Sequence, residues 1–162
     1  MEFSTDIFSL FDRKWALLTA GTMDRFNTMT ISWGGLGTLW NKPVATVYVR
    51  KSRYTHDFME NNGYFTISFY PQSYRKVLGV LGSKSGREMD KMNASGLTAK
   101  EVDGTVSFEE AELTVVCRKL FRQELDVANM PESVARDLYA GQAAHDMYIG
   151  EVVRLVQWTR WS

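Results

Sequence analysis

The sequence predicts a mainly β fold: several mostly antiparallel strands arranged as a barrel or sandwich, with two or three short helices. Three observations carry this prediction. Short runs rich in β-branched and aromatic residues recur at close spacing, with turn residues between them. Helical periodicity is confined to brief stretches between those runs. The 162 residues contain only three prolines, Pro43, Pro71 and Pro131, and no repeat, low-complexity tract or linker, so residues 1–162 read as one continuous domain.

The elements follow in order. Trp15 to Ala20 is a short apolar strand ending at Gly21. Phe26 to Trp33 alternates, with Phe26, Met29 and Ile31 interleaved with Asn27, Thr30 and Ser32. Gly34, Gly35 and Gly37 then interrupt it, which suggests a bend, a bulge or a close approach of backbone to something else. Val44 to Arg50 (VATVYVR) and Tyr64 to Tyr70 (YFTISFY) have strong strand composition. Between them, Arg53 to Asn61 groups Tyr54, Phe58 and Met59 on one side of a helix, and Asn62-Gly63 supplies a C-cap signal. Ser73 to Leu81 spaces Tyr74, Val77, Leu78 and Leu81 as an amphipathic helix, with Gly82 as its stop. The second half offers strands near Leu97 to Glu101 and Glu112 to Phe121, a short helix from Glu132 to Ala140, and a last strand from Met147 to Val156.

Composition narrows the function. Nineteen Lys+Arg balance nineteen Asp+Glu, which argues against a general nucleic-acid binder while leaving room for a local basic pocket. One cysteine, Cys117, allows no internal disulfide and reads as a buried hydrophobe in mid-strand. With His56 and His145 as the two histidines, little is left for a zinc site built from Cys and His, and no metal site is assigned. No signal-peptide core and no apolar run of membrane-spanning length is present, so a cytoplasmic protein that does not engage a membrane is expected. Aromatic residues reach 13%, enough to furnish an interface or a pocket for a planar ligand as well as a core.

Three segments could carry chemistry. Arg50-Lys51-Ser52-Arg53-Tyr54-Thr55 lies where a strand gives way to a helix. Its cations and hydroxyls beside free helix N–H groups suit a phosphate. The bland reading is a solvated basic turn with Ser52 or Thr55 as N-cap. Gly82-Ser83-Lys84-Ser85-Gly86-Arg87, followed by Asp90-Lys91, again joins small residues, hydroxyls and cations, against the alternative of a plain surface loop. Neither segment is a GxxxxGK[ST] loop, and no GxGxxG occurs in the chain. Asn27-Thr28-Met29-Thr30-Ile31-Ser32-Trp33-Gly34 could present amide and hydroxyl groups to a polar heterocycle with Trp33 beside its ring; otherwise Trp33 is simply buried. His145 beside Asp146 invites a catalytic reading, but a turn or supporting role is simpler, and no nucleophile motif such as GxSxG supports hydrolysis.

Taken together, FNTMTISWGGLGTLWNKP, VYVRKSRYT, YFTISFY, LGSKSGREMDKM and HDMYIGEV, in this order over roughly residues 10 to 157, resemble the flavin reductase-like family. Each motif is weak alone; the order and spacing are specific. The resemblance implies an FMN-binding split β-barrel, Greek-key-like and mostly antiparallel, with FMN held noncovalently at the interface of a homodimer. On that basis Asn27, Thr28, Met29, Thr30, Ser32 and Trp33 face the isoalloxazine and ribityl chain. Arg50, Lys51, Ser52, Arg53 and Thr55 surround the 5′-phosphate or nearby ribityl oxygens, and Ser83, Lys84, Ser85 and Gly86 close over them with Lys91 nearby. The phosphate's roughly two negative charges match these cations.

No side-chain general base is implied, because the flavin would perform the redox step. The implied function is an oxidoreductase of the flavin reductase or flavoredoxin type, passing electrons from NADH, NADPH or a protein donor through FMN to a flavin or another small-molecule or protein acceptor. The alternative is a non-enzymatic FMN-binding electron carrier or redox sensor. A chain this short has no room for a separate nicotinamide domain, so NADH or NADPH would bind transiently beside the flavin. The aromatic tail Trp158 to Ser162 either covers the partner's flavin or, more simply, packs on its own barrel.

Overall fold

The computed structural model describes residues 2–86 and 90–157; Arg87 and the tail from Trp158 to Ser162 lie outside the described residues. The chain runs α1 (Ile7–Asp12), β1 (Ala16–Thr22), β2 (Arg25–Ile31), β3 (Gly34–Leu39), β4 (Lys42–Arg50), α2 (Tyr54–Asn61), β5 (Tyr64–Phe69), α3 (Arg75–Ser83), α4 (Lys91–Ser95), β6 (Ala99–Val102), β7 (Thr105–Phe108), β8 (Leu113–Glu124), α5 (Glu132–Tyr139) and β9 (His145–Gln157). Seven strands form one sheet in the order β2-β1-β5-β8-β9-β4-β3, and every neighbouring pair is antiparallel. The end strands β2 and β3 do not pair with each other, so the barrel is split rather than closed. The hairpin β6–β7 stands apart as a second small sheet.

Burial explains the apolar run in β1. Ala16, Leu18 and Ala20 enter the barrel core with Val47, Val49, Phe65, Ile67 and Tyr148, whereas Leu17 enters a second core beneath α3 with Tyr70, Leu78, Leu81 and Phe108. A strand covered on both faces has no polar side to alternate with. β8 and β9 make the longest pairing in the sheet, bent by register shifts at Val116/Cys117 and Lys119/Phe121. Cys117 is fully buried there, and burial pushes its thiol far above the ordinary range.

Several expectations need correction. The glycines after Trp33 do not break the sheet: they form edge strand β3, paired with β4 through a two-residue turn at Trp40 and Asn41. Both turn residues have positive φ (51° and 59°), the twist that suits a tight hairpin. The expected close approach does hold at Gly34, where a Cβ would lie 2.6 Å from the Phe11 ring.

Gly82 lies inside α3 rather than ending it. Asn62-Gly63 closes α2 without a left-handed residue; the Asn62 side-chain amide donates to the Phe58 carbonyl at 2.9 Å instead. Among the described residues five α-helices replace the expected two or three, since α1 and α4 are too short for periodicity to reveal. Both carry an aspartate N-cap, Asp6 and Asp90, which accepts hydrogen bonds from backbone N–H groups of the first turn.

Candidate functional site

At the site, β2, the start of α2, the end of α3, the loop to Gly86 and the start of α4 converge. Buried Asn27 donates from Nδ2 to the Thr55 hydroxyl at 2.8 Å. Thr55 is therefore not a helix cap; the N-cap position belongs to Arg53, whose side chain makes no capping bond. Thr28 shares a hydrogen bond with Thr19 at 2.9 Å, and Thr30 donates to the Leu78 carbonyl at 2.5 Å, tying β2 to α3.

Two cations lie against these groups, Lys91 buried and Arg53 half-buried. Lys91, only 5% exposed, donates from Nζ to the carbonyls of Thr28 (2.6 Å) and Leu81 (3.1 Å). Loss of solvation, and then the Arg53 charge, bring its pKa down to about 8. Arg53 donates from Nη1 to the Gly82 carbonyl at 3.2 Å, while its buried Nη2 has no hydrogen-bond partner among the described residues. Burial lowers the Arg53 pKa as well. An unsatisfied guanidinium nitrogen beside a second desolvated cation is costly by itself and is the arrangement an anion would relieve.

Gly86 completes this cradle: a Cβ would lie 2.1 Å from Asn27 Oδ1 and 3.1 Å from the Tyr54 ring. The opening has a cavity volume of about 310 Å³, and its wall joins Arg25 and Lys91 with Asp24 and Asp90 around Asn27 and Gly86. A larger cavity of about 1310 Å³ lies elsewhere, against Phe3, Phe69 and Tyr74, and shares no residue with the cluster. Its wall sets Glu109, Glu110 and Glu112 against Lys14 and Lys100.

The other residues singled out in the sequence divide among different surroundings. Arg50 leaves the basic turn for α5, donating to the carbonyls of Leu138 (2.9 Å) and Ala143 (3.2 Å) and lying 5.0 Å from the Tyr139 ring centroid. Lys51 pairs with Glu124, which raises its pKa. Ser52 is an exposed turn residue, and Met29 points into the barrel core. The Ser83 hydroxyl donates to the Val80 carbonyl at 3.1 Å; Lys84 is exposed, and Ser85 is half-buried beside Gly86.

Ser32 is half-buried in the link between β2 and β3. Trp33 is not buried: it is 45% exposed, with its ring 5.3 Å from that of His145. His145 is the buried first residue of β9 rather than a turn residue. It shares a 2.8 Å hydrogen bond with Tyr139, and burial, followed by the Arg50 charge, lowers its pKa to about 4. Tyr139 escaped the sequence reading because only the β4–β9 register, Arg50 opposite His145, brings α5 to this end of the sheet.

An open antiparallel sheet whose end strands β2 and β3 stay unpaired, with the cleft at the β2 edge, defines the class as a split-barrel domain. Residues 8–159 match the flavin reductase like domain, and the chain belongs to that family. No curated protein matches it by sequence. Among solved structures it is similar to flavoredoxin from Methanosarcina acetivorans (TM-score 0.74, 20% identity, covering 100% of this chain and 77% of that one). The FMN-binding protein from Thermus thermophilus with bound p-hydroxybenzaldehyde gives a TM-score of 0.72 at 20% identity, over 99% and 82% of the two chains. Flavoredoxin of Desulfovibrio vulgaris (Miyazaki F) gives 0.69 at 22%, over 97% and 76%. At these identities the likeness establishes the shared fold. No helix among the described residues is long and apolar enough to cross a membrane.

Proposed function

We propose that the chain binds FMN at this cluster and works as an FMN-dependent oxidoreductase, taking electrons from NADH, NADPH or a protein donor and passing them to a flavin or another acceptor. The observation that carries the reading is the buried Nη2 of Arg53, without a hydrogen-bond partner among the described residues, beside the desolvated Lys91, a pair of cations suited to a phosphate dianion. Bound FMN would supply the redox chemistry. Arg53 and Lys91 would hold the phosphate, while the Asn27–Thr55 hydrogen bond fixes the wall beside them. Gly86 lets the loop close to contact distance. Exposed Trp33, backed by His145 and Tyr139, offers an aromatic surface for a planar ring. Family membership and the flavin-handling relatives support the same reading.

The working unit in this proposal is a homodimer. Gly35 and Gly37 lie mid-strand in β3 with nothing within 4 Å of where a Cβ would point, so packing within this chain does not require glycine there. Trp33 and Trp40, 45% and 57% exposed, flank this flat edge. Light scattering that returns a monomer at micromolar concentration would refute the dimer.

The absorption spectrum of the purified protein and a fluorescence titration with FMN test the main reading. A colourless protein that leaves FMN fluorescence unchanged refutes it. Anaerobic addition of NADH or NADPH to the FMN-loaded protein then separates a reductase, which bleaches, from a carrier fed by a protein donor, which does not.

A further inference from the structure

We propose that His56, Glu60 and Asp146 form a binding site for a divalent transition metal of the zinc class. The site is separate from the proposed flavin cluster and independent of that reading. α2 places His56 and Glu60 one turn apart on one face. β9 supplies Asp146, paired in register with Val49. His56 Nε2 lies 2.6 Å from Asp146 Oδ2 and 3.8 Å from Glu60 Oε1, and all three donor atoms fall within 4.8 Å of one another. Ligands about 2.0–2.2 Å from a tetrahedral ion stand roughly 3.3–3.6 Å apart, inside that range, so small side-chain rotations suffice.

A second observation points the same way. Asp146 is fully buried, yet its Oδ1 accepts no hydrogen bond among the described residues. Arg122 is the cation facing it, with Nη1 3.3 Å from Asp146 Oδ1 and Nε 3.5 Å from Glu60 Oε1. Arg122 forms these ion pairs without satisfying Oδ1, and its side chain is 46% exposed, so it can swing into solvent. Beyond it, Lys51 is engaged with Glu124, and Lys119 donates to the backbone carbonyls of Met59 and Glu60. The Tyr148 hydroxyl donates to Glu60 Oε1 at 2.5 Å, the kind of outer contact that orients a metal-binding carboxylate. The imidazole, a ligand that magnesium and calcium disfavour, points to zinc, which also accepts carboxylate oxygen. A count of cysteines and histidines overlooks the site because carboxylates from distant segments complete it.

In this picture Arg122 competes with the ion, which gives the test its sign. Metal-stripped full-length protein is titrated with zinc by calorimetry, and bound zinc is counted after gel filtration. One zinc per chain is expected, with binding about tenfold or more weaker in His56→Ala and Glu60→Gln and severalfold tighter in Arg122→Met. Zinc should also raise the melting temperature of the wild type but not of His56→Ala, a readout that requires no activity. Melting curves without zinc show whether each variant is folded; Glu60 and Arg122 lie at the surface, so their variants keep the comparison usable. No uptake by the wild type at about 100 μM zinc overturns the proposal. So does uptake unchanged in both ligand variants, or weaker binding in Arg122→Met.

Discussion

Lys91 offers the sharpest test of the site. Its pKa in the folded chain is about 8, against 10.5 for an ordinary lysine. Because the folded value is the lower one, the unfolded chain holds more protons between the two, and stability must rise with pH across that window. Below about pH 8 both states are charged, and burial of the ammonium costs a constant amount, roughly 3 kcal/mol. Raising the pH from about 7 to about 9.5 lets the folded lysine shed its proton while the unfolded one largely keeps it, which returns about 2 kcal/mol.

Urea melts of ligand-free wild type and Lys91→Met at the two pH values isolate this effect. The double difference cancels the hydrogen bonds to Thr28 and Leu81 that the variant loses. The wild type should gain about 2 kcal/mol relative to the variant. Identical pH dependence in the two proteins would refute a desolvated, protonated Lys91. The same lysine predicts that FMN affinity falls as the pH passes about 8, whereas riboflavin affinity, which lacks the phosphate, stays level.

Other outcomes follow from the same geometry. Arg53→Ala should weaken FMN by about 1–3 kcal/mol and riboflavin far less, measured by fluorescence quenching, because a charged hydrogen bond to phosphate is lost. Lys51→Ala should weaken FMN less than Arg53→Ala, since Lys51 is already paired with Glu124; the reverse order would return the phosphate to the exposed turn. Gly86→Ala drives a methyl to 2.1 Å from Asn27 Oδ1 and should cost FMN affinity about tenfold or more in the same titration, with little change in melting temperature. Gly21→Ala should destabilise the fold by about 2 kcal/mol or more in urea, because Gly21 has φ +119° and a Cβ would sit 2.3 Å from the Arg25 carbonyl.

The strands were legible in the sequence where composition and burial agree. VATVYVR and YFTISFY became β4 and β5 almost residue for residue, because β-branched and aromatic side chains suit a half-buried or buried pleat. β3 was illegible because GGLGTL has no strand composition; its pairing with β4 and the turn at Trp40-Asn41 hold it extended. β7, Thr105–Phe108, was missed for a related reason: four residues are too few for alternation to show, and all four are buried, so no polar face marks the strand.

The site was legible as an inventory but not as an arrangement. RKSRYT reads as one basic patch, yet the chain turns from strand to helix within it and sends each side chain a different way. Arg50 reaches α5, Lys51 reaches β8, Arg53 turns toward Gly82, and Thr55 meets Asn27. His56, the next residue, faces Asp146. The cation that joins Arg53 comes from the start of α4, almost forty residues further along, held by carbonyls of β2 and α3. A phosphate at this site would therefore meet one arginine and one lysine from separate elements, each already fixed by backbone carbonyls. Such preorganisation leaves little side-chain entropy to lose on binding, whereas a solvated run of three cations would lose much more. That difference is why Arg53 and Lys91, rather than the full charge of the turn, should decide affinity for the phosphate.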